Sequence, residues 1–89
     1  MKTKELNPEQ LISQAGEAIA DFVRHHNEIC VLGILNGVVV ARAKGELPKE
    51  FIEVQKLTRW QCENGLNSKQ WDALGDRLYF NLYNEDPKK

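Results

Sequence analysis

An excess of charge of either sign is the first thing this sequence lacks. Its 89 residues carry 12 Lys and Arg against 13 Asp and Glu. The balance is also even along the chain, with five of each sign in residues 1–45 and seven basic against eight acidic in 46–89. Nucleic acid and anionic membranes ask for a basic excess or a basic patch, so neither is favoured as a partner by composition. Cysteine is scarce too. Cys30 and Cys62 are the pair present, which is no disulfide framework and reads as two reduced thiols. Long apolar runs are also missing. The most apolar stretch, Ile29 to Ala43, is broken at Asn36 and Gly37 and falls short of the ~20 residues of a membrane-spanning helix. The opening Met1 to Pro8 segment carries no apolar core of a secretory signal. These absences lead to an expectation of a soluble, cytoplasmic protein with no membrane role.

A chain of this length forms one domain, expected over 1–89, and buries only about 60–65% of its unfolded surface. Every apolar stripe therefore matters. The first stripe is Leu11, Ala15, Ala18, Ile19, Phe22, Val23 and His26, recurring at three- and four-residue spacing. Asn7 suits the N-cap, Pro8 the first helical position and Gln10 the third position of a capping box. A helix is predicted over about 8–26.

Two β-branched runs follow, separated by Asn36 and Gly37. Asn-Gly between such runs is the strongest short-range hairpin signal, because a type I′ turn needs positive φ at both central residues. The hairpin is predicted over about 28–44, with Leu35 facing Val38, Ile34 facing Val39, Leu32 facing Ala41 and Cys30 facing Ala43. One face then carries Cys30, Leu32, Ile34, Val39, Ala41 and Ala43. The other carries Ile29, Val31, Gly33, Leu35, Val38 and Val40, and turns charged only at Arg42 and Lys44. A hairpin with one wet face alternates apolar with polar. This one does not.

Beyond the Gly45 to Pro48 connector, the stripe Leu47, Phe51, Val54, Leu57 and Cys62 predicts a second helix over about 48–63, with Ile52 and Trp60 outside it. A third strand at 51–57 is the rival reading, since Ile52 and Val54 are β-branched. Gly65 closes this segment, and Asn67 with Gln70 repeats the capping logic of the first helix. The third helix is predicted over about 68–84, with Trp71, Leu74, Gly75, Leu78 and Leu82 on one side and Tyr79, Phe80 and Tyr83 on another. Gly75 costs ~1 kcal/mol against Ala in a helix, so its expected reason is close packing. A charged, flexible tail is expected at 85–89. The fold class is thus α+β, a small α-β-β-α-α domain with a central hairpin packed by helices.

Chemistry is sparse. His25, His26, Cys30 and Cys62 are metal-ligand types, but no Cys-x-x-Cys pair gathers them and adjacent histidines on a helix point apart. The histidines read as helix-terminal residues and no metal or other cofactor is expected. No Gly-rich phosphate loop or oxyanion motif is present, so the chain reads as non-enzymatic. The segment 50–84 can be laid on a helix-turn-helix pattern with Gly65 in the turn, offering Asn67, Ser68, Lys69 and Gln70 to a nucleic acid. Gln61, Asn64, Asp72 and Asp76 sit badly with that pattern. It is the alternative reading.

The leading reading rests on surplus apolar surface. Val31, Val38, Val40, Ile52, Trp60, Tyr79, Phe80 and Tyr83 exceed what one small core needs, and exposed patches of that kind mark protein interfaces. A lone hairpin is marginal, and two could pair edge to edge as a four-stranded sheet. The expectation is a protein-interaction module, homodimeric, acting as a small regulator or inhibitor of a larger partner.

Overall fold

The computed structural model describes residues 6–85. They form, in chain order, α1 (Pro8–His25), β1 (Cys30–Leu35), β2 (Val38–Ala43), a single 3₁₀ turn (Lys44–Glu46), β3 (Ile52–Leu57), α2 (Arg59–Asn64) and α3 (Ser68–Tyr83). The class is α+β. The strands make one antiparallel sheet in the order β2-β1-β3. α1 lies over β2 and α3 beside β3, both against the same face of the sheet. The tail expected at 85–89 lies, apart from Glu85, outside the described residues.

α1 begins as its residue types dictate. The Asn7 side chain accepts from the Gln10 amide at 2.9 Å and the Gln10 side chain accepts from the Asn7 amide at 2.9 Å. Leu11, Ala15, Ile19 and Phe22 form its buried stripe. The helix ends with His26 in extended geometry, its ring stacked on Phe22 at 4.7 Å. The hairpin turn is type I′, with φ 53° at Asn36 and 77° at Gly37. Its register pairs Leu35 with Val38, Ile34 with Val39, Leu32 with Ala41 and Cys30 with Ala43, as the alternation requires.

The helix predicted over 48–63 is not formed. The strand weighed as its rival over 51–57 forms instead as β3 (Ile52–Leu57), and only Arg59–Asn64 is helical. The reason is a β-bulge. Leu32 pairs with Gln55 but Gly33 pairs with Glu53, so Val54 is an extra residue on β3. The extra residue resets the alternation, and Val54 and Leu57, three apart, both enter the core. A bulged strand thus presents the same i, i+3 spacing as a helix. Pairing β3 also satisfies the backbone edge of β1 that a lone hairpin leaves open.

α2 starts at Thr58, whose side chain and that of Gln61 form a second capping box. It stops at Gly65, φ 87°. α3 repeats the device with Asn67 and Gln70. A Cβ on Gly75 would lie 2.8 Å from Ile12 Cδ1 and 3.1 Å from the Pro8 carbonyl, so this glycine lets α3 press onto α1. The fully buried leucines Leu11, Leu32, Leu57, Leu74 and Leu78 fill the space between helices and sheet, each contributing about 1.5–3 kcal/mol by leaving water.

Candidate interaction surface

Both long helices pack on one face, and among the described residues the other face is crossed by the 44–51 connection, which passes over β1 to join the parallel strands β2 and β3. Strand registers order that face in three rows. Arg42, Val31 and Lys56 lie side by side across β2, β1 and β3, followed by Val40, Gly33 and Glu53. The third row holds Val38 and Leu35, with Phe51 leading into β3. Gly33 is where the rows close up. A Cβ there would stand 2.2 Å from the Ile52 carbonyl and 2.6 Å from the Phe51 ring. The absent side chain leaves the seat that the Phe51 ring occupies.

The face is therefore apolar toward the hairpin turn and ionic toward its other end. Val38 is 55% exposed, while Val40 and Leu35 are half-buried. Val31, between Arg42 and Lys56 in the register, is fully buried on the face that the 44–51 connection crosses. Lys56 Nζ is 3.9 Å from Glu53 Oε2.

The two sheet edges differ. In a two-residue hairpin the flanking residues bond to each other, so Val38, Val40 and Arg42 turn their amides and carbonyls toward β1. Lys44 donating to the Ile29 carbonyl at 3.1 Å continues that alternation. Val39, Ala41 and Ala43 consequently turn theirs outward along β2. Arg42 Nη1 covers the outward Ala41 carbonyl at 3.0 Å. On the opposite edge Arg77 reaches across from α3 to the Val54 carbonyl and to Gln55 Oε1. Along the β2 edge one carbonyl is met by its own neighbour Arg42, whereas the β3 edge is strapped by a separate helix.

The remaining residues singled out from the sequence fall elsewhere. Ile52 is 45% and Phe80 54% exposed. Val54 meets Arg77, and Leu57 shares a groove with Trp71, so α3 runs antiparallel to β3. Trp60, 68% exposed on α2, stands apart. Tyr79 and Tyr83 are half-buried and stack edge-on at 4.8 Å. The Tyr83 hydroxyl accepts from the Leu6 amide at 3.0 Å, which fastens the residue before α1 to the end of α3. Leu35 and Arg42, placed on the face of Val38 and Val40 by the strand alternation, were not named as interface residues, and Phe51 was read as part of a helical stripe. Gly33, a glycine inside a strand, was the signal that another side chain approaches there.

Asn67, Ser68, Lys69 and Gln70 are exposed at the start of α3, with the Asn67 and Gln70 side chains engaged in the capping box. The helix that would precede them in a helix-turn-helix is β3 followed by the six residues of α2. His25 and His26 lie at the end of α1, near Asp21 and Glu28 at 4.0 and 3.7 Å. No group of three or more His, Cys, Asp or Glu converges as metal ligands among the described residues, and no helix among them is long and apolar enough to cross a membrane.

Cys30 and Cys62 fall in one cluster. Cys30, buried at the start of β1, pairs with Leu57 of β3, and Leu57 lines a groove together with Cys62, half-buried on α2. Burial, reinforced by the neighbouring Cys62, pushes the Cys30 thiol up to about 12. Burial also raises the Cys62 thiol, against the opposing pull of Cys30 and Arg59.

No family model matches the chain, and no solved structure matches it. A phosphoserine phosphatase from Streptococcus thermophilus is 34% identical over 62 residues, which cover 70% of this chain. The chain spans about a quarter of that enzyme, 27% of its length.

Proposed function

We propose that this chain is a non-enzymatic protein-interaction module whose first partner is a second copy of itself, joined through β2. The observation that carries the reading is the character of that edge. β2 is six residues long, contains no proline, bears Arg42 as its one charge and turns the backbone of Val39, Ala41 and Ala43 outward. A long apolar edge strand is a template for another strand. Antiparallel pairing about a two-fold axis brings like residues together and satisfies both copies at once. Since β3 fills the other flank of β1, the product is a six-stranded sheet, not the four-stranded one that a bare hairpin suggests. Val38 and Val40 of both copies then form one continuous apolar strip. Such a dimer would act as a small cytoplasmic regulator or inhibitor of a larger protein.

The test is molar mass by light scattering across micromolar concentrations for the parent, Val40→Glu, Ala41→Pro and Phe80→Glu. The parent and Phe80→Glu are expected to be dimers. Val40→Glu and Ala41→Pro are expected to be folded monomers, because the Ala41 amide faces away from β1 and its loss breaks no internal ladder bond. A monomeric parent, or a dimer disrupted by Phe80→Glu but not by Val40→Glu, overturns the reading. Hydrolysis of phosphoserine by the purified chain would overturn its non-enzymatic part and favour the likeness to the phosphatase.

A further inference from the structure

We infer that Cys30 and Cys62 form a redox site, a dithiol that closes to a disulfide by exchange with a low-molecular-weight disulfide. Three observations converge. Cys30 pairs with Leu57 across the sheet, and Leu57 and Cys62 line one groove, so the two cysteines flank the same side chain in one cluster, where each thiol perturbs the other. One reaches solvent and the other does not. Cys62 opens on a groove lined by Ile19, Leu57, Gln61, Leu66 and Trp71, whereas Cys30 is sealed in the core. The element carrying Cys62 is short and lightly buried. α2 is six residues long and has no fully buried residue. Besides its capping box it is held by Arg59, which donates to the His26 carbonyl at 2.6 Å.

The order of events follows from access. The Cys62 sulfur, deprotonated, attacks one sulfur of the small disulfide and releases one thiolate, leaving a mixed disulfide on the protein. Cys30 then gives up its proton and attacks the Cys62 sulfur, releasing the second thiolate. The two protein protons end on the two small thiols, and the protein dithiol is oxidised as the small disulfide is reduced. Burial of Cys30 makes the second step the slow one, so its rate rises with pH.

Oxidised glutathione tests this. The native protein is incubated with excess reagent at neutral and at mildly alkaline pH, and intact mass and proteolytic fragments are followed by mass spectrometry. The expected course is a glutathione adduct on Cys62 that converts, faster at the higher pH, to a species two hydrogens lighter than the parent with Cys30 and Cys62 in one cross-linked fragment. Cys30→Ala is expected to stop at the adduct, and Cys62→Ser to remain unmodified. An adduct on the parent protein that never converts, or reaction at either cysteine only in denaturant, overturns the inference. The mapping is done on the parent, so the result stands even where a variant fails to fold.

Discussion

Single positions in this molecule are constrained most where a side chain is missing. Gly33→Ala is expected to destabilise the fold by about 3 kcal/mol or more, because its Cβ would collide with the Ile52 carbonyl, a backbone atom, and with the Phe51 ring. Urea titration of the variant against the parent gives the loss directly, and a variant as stable as the parent would refute the seat assigned to Phe51. Cys30 sets a second residue-scale expectation. Its thiol stands at about 12 in the fold against an ordinary 9.0. Between those values the unfolded chain releases a proton that the folded one keeps, so stability falls as pH rises. The slope approaches ~1.4 kcal/mol per pH unit across that window. Denaturant midpoints from pH 8 upward should therefore decline, and Cys30→Ala should flatten the decline.

Among the elements, legibility followed the locality of the signal. Asn7, Gln10, Asn67 and Gln70 act within one turn of themselves, and the helices they start could be read from spacing alone. Asn36 and Gly37 set a hairpin register that strand alternation then propagates without ambiguity. β3 was misread because its identity depends on β1, a partner distant in sequence. The bulge at Val54 also spaces its core residues as a helix would. The same blindness applies to the candidate surface. Val31, Val38 and Val40 were correctly placed on one face, yet whether Tyr83 is a contact surface or a bond to Leu6 depends on where the first described residues lie. α2 offers an element-scale test. Thr58→Ala removes one half of its capping box and should cost about 1 kcal/mol. The loss should appear in hydrogen exchange as faster opening at Gln61 and Cys62 before the rest of the domain responds.

At the scale of the whole molecule, one layer of helices covers one face of a three-stranded sheet and the 44–51 connection crosses the other. For a chain this small, association is a common way to supplement a limited core. If two copies join through β2, unfolding is linked to dissociation and the thermal midpoint climbs with protein concentration. Calorimetry over a hundredfold concentration range should show that climb for the parent and none for Ala41→Pro. A midpoint independent of concentration in both would mean that the isolated chain is the folding unit.

The doubled position opposite Leu32 has one more consequence. Where two residues share a single seat, β3 holds a spare. Deleting Gln55 would leave Val54 facing Leu32, with Leu57, Lys56, Glu53 and Ile52 keeping their partners. Deleting Glu53 instead would set Val54 opposite Gly33 and take it out of the core. In this strand, shortening by one residue is tolerable at the doubled position and ruinous just before it.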